Sequence, residues 1–442
     1  MSGSFRQFLA EGGAFQGYAY AYPHKSAYRQ LDPPRSLAQA WAGEDKQTLF
    51  LYVHIPFCEM RCGFCNLFTM THPGGNLVTK YLDALARQAE AVAEVLGSPA
   101  RFARLAIGGG TPTFLSVAEM GRLFSVLESN FHTTTPAIPK AIEASPATVD
   151  GEKIALLKAR GFTRVSLGVQ SFLETENKAL GRPQRLMEVR KALAALTEAN
   201  FKCVNIDLIY GVTGQTVESW QRSLAEALEF APQEIYLYPL YVRPLTHLGK
   251  TNARATDQRV DLYRSGRDFL LSRGYRQISM RLFRHGTYQP PEGPVYCCQE
   301  DGMVGIGAGA RSYTTALHYS AEFAVGRPGV LDVIADYTSR TAEQFAVADY
   351  GCELDVNEQR RRYVLKSLLR SDGLDLAGYR AYFGTEVFAD FPQLEELVES
   401  GFAVVDSAHV RPTAEGLELS DVIGPWLWSV AVKQKMGAFE LR

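Results

Sequence analysis

The sequence predicts an α/β fold in which short strands alternate with longer helices. Between residues 49 and 241, short apolar runs rich in β-branched residues alternate with longer amphipathic stretches. This alternation is typical of βα units around a parallel sheet. Polar and glycine-rich residues come directly after the runs, and the loops at the carboxyl ends of parallel strands are where functional residues gather. Six such units can form either an open doubly wound sheet or an incomplete barrel.

The predicted elements follow one another in a regular order. Six strands are predicted at residues 49–55, 105–107, 141–143, 164–169, 204–209 and 235–240. The predicted helices between them cover residues 77–96, 117–130, 151–159, 186–199 and 217–230. Beyond residue 250 the predicted elements are a helix at 259–271, a strand at 277–282 and a glycine-rich turn at 302–313.

The C-terminal part predicts a smaller, separate domain. Three helices at 358–369, 376–383 and 393–400 precede a β ribbon at 403–411, which is the order of a winged-helix module. The module has no basic stripe, so we expect it to cover the mouth of the larger domain rather than to read DNA. The predicted divisions are an N-terminal strap at 1–48, a core at 49–250, an extension at 251–350 and the winged-helix-like domain at 351–442.

Composition and charge exclude several classes of partner. The chain has 442 residues, a formal net charge of -2 and a sequence pI near 6.5, so no strong field favours nucleic acid or an anionic membrane. Residues 1–21 lack the basic region and apolar core of a signal peptide, and no apolar run approaches the ~18 residues of a membrane span. We therefore expect a cytoplasmic protein that acts on a small molecule.

Three closely spaced cysteines are the strongest chemical signal. Cys58, Cys62 and Cys65 have the spacing C-x3-C-x2-C, which can hold three irons of a four-iron cluster and leave the fourth iron open. The alternatives are a zinc site completed by His54 or His72, and a disulfide with one spare thiol. Seven cysteines in the chain and no secretory signal argue against the disulfide.

The cysteine loop, followed after the next strand by the glycine-rich turn 108–113, resembles the radical S-adenosylmethionine superfamily. The resemblance implies a partial (β/α)6 barrel with a C-terminal winged-helix-like domain. It also implies a [4Fe-4S] cluster whose open iron binds S-adenosylmethionine and splits it reductively into methionine and a 5′-deoxyadenosyl radical. A reducing electron donor such as flavodoxin or ferredoxin is expected as partner.

Further matches narrow the resemblance to the oxygen-independent coproporphyrinogen III oxidase-like branch. They lie in the segments 52–58, 168–172, 180–182 and 205–211 and at Glu143. By analogy, the residues expected to bind the cofactor are Tyr52, Phe64, Gly108, Gly109, Gly110, Thr111, Glu143, Gln170, Arg182 and Asp207. The glycines let the backbone approach the methionine moiety, because they have no side chain in the way.

More specific roles also follow from the resemblance. Asp207 is expected to bind the ribose hydroxyls, Arg182 and Tyr52 to lie near the methionine carboxylate, and Phe64 to lie beside the adenine. Each has a plain alternative: Asp207 could cap a turn, Arg182 could be a surface cation, Gln170 could satisfy buried backbone, and Phe64 could be ordinary core. Several such residues in register favour the cofactor site.

The resemblance further implies the reaction. Some members of this branch hold two S-adenosylmethionine molecules and transfer a methyl or methylene unit to an sp2 carbon, giving methylation or cyclopropanation. Glu143 and Gln170 are the candidate catalytic residues that would touch both molecules. Leu67 stands where the coproporphyrinogen enzyme has a further cysteine, and residues 295–301 lack the His-Asn-x-x-Tyr-Trp stretch of the haem chaperones.

Methyl or methylene transfer to a specialised metabolite is therefore the expected activity. Oxidative decarboxylation of a porphyrinogen propionate and haem carriage remain as alternatives. The adjacent pair Cys297 and Cys298 is expected either to be buried or to line the substrate pocket, and adjacent cysteines rarely form a disulfide.

Two aromatic and basic segments flank the predicted core. Residues 18–35 include His24 and Lys25 and could be a strap packed on the barrel or a lid over the substrate. Tyr236 and Tyr238 lie on one face of the sixth strand, and Tyr241 and Arg243 follow it. The alternation does not show which face looks inward.

Overall fold

The computed structural model describes residues 3–19, 21–98, 100–134, 138–251, 258–291 and 302–441. In chain order, its strands are β1 Arg29–Ser36, β2 Leu49–Ile55, β3 Phe57–Cys58, β4 Met70–Thr71, β5 Phe102–Gly109, β6 Lys140–Ala144, β7 Arg164–Gln170, β8 Cys203–Tyr210, β9 Glu234–Pro239, β10 Tyr275–Gln277, β11 Leu282–His285, β12 Met303–Ile306, β13 Arg311–Tyr313, β14 Leu317–Ser320, β15 Val347–Glu353, β16 Leu374–Asp375, β17 Ala403–Val405 and β18 His409–Pro412.

The helices are α1 Phe5–Gly12, α2 Leu37–Ala40, α3 Leu77–Leu96, α4 Val117–Phe131, α5 Gly151–Ala159, α6 Glu174–Ala179, α7 Leu186–Glu198, α8 Val217–Leu228, α9 His247–Lys250, α10 Arg259–Ser272, α11 Arg327–Ser339, α12 Ala342–Phe345, α13 Val356–Leu368, α14 Leu376–Phe383, α15 Val387–Asp390, α16 Leu394–Glu399, α17 Ala414–Glu418, α18 Ser420–Leu427 and α19 Val430–Gly437. Short 3-10 turns occupy Lys25–Ala27, Pro112–Phe114 and Pro146–Thr148.

Thirteen of the strands in the described residues form one continuous sheet. Its order is β1-β15-β14-β13-β12-β2-β5-β6-β7-β8-β9-β11-β10. The six central strands β2, β5, β6, β7, β8 and β9 pair in parallel, with helices in the connections between them. The sheet does not close on itself, because β1 and β10 are its two edges. The predicted incomplete (β/α)6 barrel is therefore confirmed, and β12 extends it by pairing in parallel with β2.

The two faces of the parallel strands have different surroundings. One face carries apolar side chains such as Val53, Leu167 and Ile206, which are buried in the main core with residues of the surrounding helices. The other face turns inward. Asp207 pairs with Tyr236 in the register of β8 and β9, so these neighbours lie on the same face, and Tyr238 follows two residues later. Both tyrosines therefore face the inside of the barrel, a question that the alternation alone left open.

The predicted strand at 277–282 is wrong in detail. The structure has two short strands instead, β10 and β11, which pair as a hairpin. Between them the backbone N–H of Ile278 donates to the carbonyl of Leu282 at 2.8 Å, which forms a tight turn. This turn places Arg281 at the barrel rim, the edge formed by the carboxyl ends of the parallel strands.

The C-terminal unit has the predicted winged-helix-like order. Helices α13, α14 and α16 precede the ribbon of β17 and β18, and β16 adds a third strand to it. Its core also contains residues of the N-terminal segment: Phe5 packs edge-to-face on Phe402 and Trp426 at 5.2 and 5.3 Å between ring centroids. The strap thus joins the C-terminal core and, through β1 and β15, the edge of the main sheet.

None of the helices in the described part of the chain combines the length and the apolar character needed to cross a membrane.

Candidate functional site

The cysteine loop connects the short strands β3 and β4 at the rim of the barrel. The chain leaves β2, forms β3, and returns in β4, which pairs with β3 in parallel. Gly63 fixes the middle of the loop: its N–H donates to the carbonyl of Leu180 at 3.1 Å, and its own carbonyl accepts from the N–H of Leu248 at 2.9 Å. A side chain at Gly63 would meet the Leu180 carbonyl at 2.7 Å, so this close approach requires glycine.

The three thiols are free, and two of them have polar neighbours from other loops. Thr111 Oγ1 donates to Cys58 Sγ at 3.6 Å, and Arg182 Nη1 donates to Cys62 Sγ at 2.9 Å. Burial raises the pKa of Cys58 to about 12 and also raises the pKa of Cys65. Buried thiols of this kind form thiolates when a bound metal supplies the positive charge, since a coordinating thiol is deprotonated outright.

The thiols fit a multinuclear cluster better than a single zinc ion. Three thiolates on one zinc, at ~2.3 Å each, would lie only about 3.8 Å from one another. Among the described side chains, no three histidine, cysteine or carboxylate groups are placed to share one metal ion. In a four-iron cluster each thiolate binds a different iron, so the sulfurs stand farther apart. The donor set of three loop thiols, with a guanidinium and a hydroxyl donating to them, fits that group.

The glycine-rich turn after β5 packs directly on this loop. A Cβ at Gly110 would lie 2.8 Å from Cys58 Sγ and 2.6 Å from the carbonyl of Phe57. Gly109 has φ of +118°, which L side chains rarely adopt, and its N–H donates to Glu143 Oε2 at 3.1 Å. A Cβ at Gly108 would meet the Glu143 carboxyl at 2.8 Å. These three glycines allow the loop, the turn and the carboxylate to meet.

Two carboxyl groups face the inside of the barrel. Burial raises the pKa of Glu143 to about 7 and that of Asp207 to about 6. The Gly109 N–H bound to Glu143 and the Asn205 amide, which donates to Asp207 Oδ1 at 2.8 Å, work in the opposite direction. Glu143 retains accessible surface although desolvation dominates its titration, as expected of a group that faces an enclosed space. A cationic ligand entering this space would find two acidic partners.

Gln170 is the last residue of β7, and Arg182 lies in the connection between α6 and α7. Arg182 Nη2 donates to the Gly168 carbonyl at 2.9 Å and to Ser145 Oγ at 3.2 Å, while Nη1 reaches Cys62. Arg182 is therefore buried against the cysteine loop and is not a surface cation. Gln170 has φ of +69° at an irregularity in the pairing of β7 with β8, which turns its side chain toward Gly168.

Tyr52 and Phe64 have different surroundings. The Tyr52 hydroxyl lies 3.4 Å from His54 Nδ1 on the inner face of β2. Phe64 packs on a small apolar cluster that includes Leu180 and Leu248, so it forms part of one wall beside the cysteine loop. The glycines, Thr111, Gln170 and Arg182 lie at or beyond the carboxyl ends of their strands, whereas Tyr52 and Asp207 lie in the middle of β2 and β8. The individual roles of these residues remain predictions.

His54 has a structural role that its sequence position did not predict. Its Nε2 lies 3.0 Å from the carbonyl of Phe68, and its ring would touch a Cβ at Gly109 or Gly309 within 2.8 and 3.0 Å. The imidazole thus packs between the two glycine turns beside the cysteine loop. Burial lowers its pKa to about 4, so the imidazole is neutral. Its place in the segment 52–58, which matches the entry strand of the family, was a usable signal, although the only specific role expected of His54 was that of a zinc ligand.

Tyr236 and Tyr238 line the far wall of the barrel. Their rings are stacked, with centroids 5.7 Å apart and 13° between planes. Burial raises the pKa of both above the usual tyrosine range, so both are neutral. Cys297 and Cys298 lie outside the described residues.

Known proteins resemble this chain over most of its length. The Radical SAM superfamily matches residues 52–227 and the HemN C-terminal domain matches residues 354–419. Oxygen-independent coproporphyrinogen III oxidase from Escherichia coli (strain K12) is 28% identical over 414 residues, covering 90% of this chain and 89% of that protein. Heme chaperone HemW from Bacillus subtilis (strain 168) is 26% identical over 390 residues, covering 85% and 98%.

A solved structure of one of these relatives also resembles this chain over most of its length. The coproporphyrinogen III oxidase (HemN) from Escherichia coli, described as a radical SAM enzyme, superposes with a TM-score of 0.79 at 26% identity and covers 95% of this chain and 98% of that one.

These relatives contradict one prediction. The proteins that match most of this chain are named as an oxidase and a heme chaperone, so the prediction of methyl or methylene transfer is wrong. Leu67, on which it partly rested, is 47% exposed.

Proposed function

Because this chain belongs to the radical SAM superfamily and is an enzyme of that group, with a [4Fe-4S] cluster and S-adenosylmethionine as cofactors, we propose that it oxidatively decarboxylates a propionate side chain of a porphyrinogen. The observation that carries the proposal is the extent of the similarity to the Escherichia coli coproporphyrinogen III oxidase. It covers 95% of this chain, and so includes the N-terminal strap and the C-terminal unit as well as the barrel.

The proposed reaction converts a propionate into a vinyl group. A propionate, R–CH2–CH2–COO⁻, loses one hydrogen from the carbon next to the ring and its carboxylate leaves as carbon dioxide, which gives the vinyl group R–CH=CH2. The overall change releases one proton and two electrons. Bound together, the cluster and S-adenosylmethionine supply a carbon-centred radical that is able to take the first hydrogen atom from an unactivated C–H bond. An electron acceptor is needed for the second electron.

We assign the cluster to Cys58, Cys62 and Cys65. The hydrogen bonds that Thr111 and Arg182 donate to two of these sulfurs support the assignment, because donors to ligating thiolates are the usual means by which a protein stabilises and tunes a cluster. Three protein ligands would leave one iron of the cluster without a protein ligand, and that iron would bind S-adenosylmethionine.

We assign Glu143 and Asp207 to S-adenosylmethionine. The cofactor carries an ammonium group, a sulfonium and two ribose hydroxyls, and the two carboxyls offer acceptors for them on the inner face, on β6 and β8 with β7 between them. Gly109 positions Glu143 through its N–H, and Asn205 positions Asp207 through its side-chain amide. The family resemblance implies two S-adenosylmethionine molecules, and this number remains a prediction that equilibrium titration can test.

The covered mouth also supports the proposal, because radical chemistry has to be shielded from water and from side reactions. Helix α18 of the C-terminal unit reaches the rim with Asp421. This carboxylate accepts from Tyr241, which follows the sixth strand, and pairs with Arg281, while the N–H of Gly17 in the strap donates to the Asp421 carbonyl at 3.1 Å.

The experiment is anaerobic turnover of the reconstituted protein with coproporphyrinogen III, S-adenosylmethionine, a reductant and an electron acceptor. The expected products are carbon dioxide, 5′-deoxyadenosine and a porphyrinogen lighter by one carbon dioxide and two hydrogens. The Cys58→Ala variant is the matched inactive control, and Cys203→Ala, which changes a buried thiol away from the loop, is the active one. Absence of carbon dioxide together with a stable Soret band on adding haem would replace decarboxylation by haem carriage.

A further inference from the structure

Glu59 lies between the first two cysteines of the loop and has no role among the residues assigned above. The spacer between those cysteines consists of Glu59, Met60 and Arg61. Arg61 donates to the carbonyl of Val325, in the segment that precedes α11. Glu59 instead contacts the end of β6, where its Oε1 accepts a hydrogen bond from the hydroxyl of Ser145. The two charged side chains of the spacer therefore bind different parts of the fold.

Ser145 connects Glu59 to Arg182. The Ser145 hydroxyl accepts from Arg182 Nη2 at 3.2 Å and donates to Glu59. Arg182 Nη1 in turn donates to Cys62 Sγ at 2.9 Å. A continuous series of hydrogen bonds thus runs from the carboxylate through a hydroxyl and a guanidinium to a thiol of the same loop, and hydrogen bonds in such a series polarise one another. We call Glu59, Ser145 and Arg182 the Glu59 network.

The bridging serine is fixed by the turn that follows β6. Ser145 is buried, and the Thr148 hydroxyl donates to its carbonyl at 2.9 Å and accepts from its N–H at 3.4 Å. Thr148 Oγ1 also lies 2.6 Å from Thr113 Oγ1, at the end of the glycine-rich turn 108–113. The Ser145 hydroxyl therefore has a defined place beside the loop, as a bridge between two charged groups requires.

Arg182 alone would make the cluster easier to reduce. The guanidinium donates to four neighbours, which are Cys62 Sγ, Ser145 Oγ, the Gly168 carbonyl and Gln184 Oε1. None of the four is a carboxylate. A positive charge beside a ligating sulfur stabilises the reduced state, whereas a cluster that splits a sulfonium has to be a strong electron donor. Glu59 supplies the opposite charge through one intervening hydroxyl.

The second carboxylate oxygen of Glu59 is buried without a donor. Glu59 Oε2 has no hydrogen-bond partner among the described residues. Ser145 and, behind it, Arg182 are therefore the groups that compensate the carboxylate. A charge compensated from one side in a place shielded from water acts strongly on its neighbours, because the local dielectric constant is low.

We propose that Glu59 is a redox-tuning residue that acts through Ser145 and Arg182 and keeps the cluster strongly reducing. A carboxylate in this place opposes the additional negative charge of the reduced cluster and offsets the guanidinium on Cys62. The inference rests on the part of the proposed function that assigns the cluster to the three loop cysteines, and it does not depend on the substrate. It deepens that function at the supply of the electron.

The test is a redox titration of the reconstituted protein followed by electron paramagnetic resonance, without substrate or S-adenosylmethionine. Glu59→Gln retains an oxygen that can accept from Ser145 and removes the charge. It should raise the midpoint potential, so that the ratio of reduced to oxidised cluster at a fixed applied potential increases about tenfold, or ~59 mV for a one-electron couple. Glu59→Asp retains the charge and should stay closer to the wild-type potential.

Ser145→Ala tests whether the effect passes through the hydroxyl. Both charges remain, but Arg182 loses the acceptor that competes with Cys62, so the potential should rise by less than in Glu59→Gln. The double variant should match Glu59→Gln, because residues of one hydrogen-bond network do not act additively. Glu198→Gln, which removes an exposed carboxylate on α7, is the control and should keep the wild-type potential.

Iron and sulfide content and urea unfolding show which variants hold the cluster. A potential of Glu59→Gln at or below the wild-type value would overturn the tuning role and leave decarboxylation standing. If only Glu59→Gln loses iron, the potential of Ser145→Ala decides, and a wild-type value there overturns the proposal. Loss of iron from both would assign Glu59 to assembly of the loop and overturn tuning as well.

Two outcomes concern the proposed function itself. A wild-type protein that incorporates no cluster would overturn the assignment to the loop cysteines and, with it, both proposals. A raised potential in Glu59→Gln together with no carbon dioxide from wild-type turnover would support the tuning role and overturn decarboxylation.

Discussion

The guanidinium of Arg182 donates a hydrogen bond to the thiol of Cys62 at 2.9 Å, although 120 positions separate the two residues along the chain. The same side chain binds the Gly168 carbonyl, so it links the end of β7 to the cysteine loop. A positive donor on a thiolate ligand favours the cluster state with more negative charge, which is the reduced state.

Replacing Arg182 by Met should therefore lower the midpoint potential of the cluster, on the order of tens of millivolts. The measurement is a redox titration followed by electron paramagnetic resonance on the reconstituted protein. Arg185→Met, which removes an exposed arginine three residues away, is the control and should keep the wild-type potential. A potential unchanged in Arg182→Met would show that the hydrogen bond has no electrostatic effect on the cluster.

Gly110→Ala should impair cluster incorporation and destabilise the protein by about 1–3 kcal/mol, because the new methyl would lie 2.8 Å from Cys58 Sγ and 2.6 Å from the Phe57 carbonyl. Gly121→Ala in α4 is the control, since a Cβ there meets nothing within 4 Å. It should increase stability by roughly 0.5–1 kcal/mol. Iron and sulfide content and urea unfolding measure both effects. Equal iron content in the two variants would contradict the prediction.

Binding of S-adenosylmethionine should weaken as pH falls from 8 to 5. Burial holds the pKa of Glu143 near 7 and that of Asp207 near 6, so both carboxyls gain protons in this range and lose their attraction for a cationic ligand. Glu143→Gln should bind more weakly at pH 8 and lose the part of the pH dependence near 7. Calorimetry in buffers of different ionisation enthalpy should detect proton release on binding below pH 7.

The control for this experiment is Glu198→Gln, which changes an exposed carboxylate on the outer helix α7. It should show the wild-type pH profile. A flat profile in the wild type would mean that neither carboxyl titrates in contact with the ligand.

Asp421→Ala should lower the free energy of unfolding by about 3–5 kcal/mol, because it leaves the Arg281 charge buried without a partner. The side chains of Arg281 and Asp421 are only 5% and 1% exposed. Glu226→Ala is the matched control: it breaks the pair with Arg190, whose side chain is 55% exposed, and should cost no more than about 1 kcal/mol. Chemical denaturation at neutral pH compares the two. Similar losses in both variants would show that the Arg281 pair is no stronger than a surface pair.

The barrel could be predicted from the sequence because its elements are specified by local pattern. Helices α3, α5 and α14 begin and end where the apolar periodicity and caps predict. Strands with distant partners could not be found this way. The sequence of β1 includes Asp32, Pro33 and Pro34 and resembles a turn, and its pairing with β15 depends on a segment more than 300 residues further along. Local propensity contains no information about such a partner.

In the candidate site, too, local sequence identified some residues but could not show the contacts between distant ones. The glycines and cysteines stood out because their spacing is itself a chemical signal. The contacts of Arg182 with Cys62, and of His54 with the two glycine turns, join residues that are distant in the chain, and only the tertiary fold brings them together. The direction in which Tyr236 and Tyr238 point was open for a related reason, since a period of two defines two faces and does not name the inner one.

The pairing of β1 with β15 has a consequence for the order in which the protein is made. β1 is the edge strand of the main sheet and β15 is its neighbour there, so the ribosome has to release residues up to about 353 before β1 can dock. The partners described for the cysteine loop lie between residues 54 and 325, so all of them emerge earlier. Because chains fold from the N-terminus as they emerge, we expect a nascent barrel with its thiols assembled and its mouth still open. That interval would allow iron and sulfide to enter before the strap and the C-terminal unit close over them.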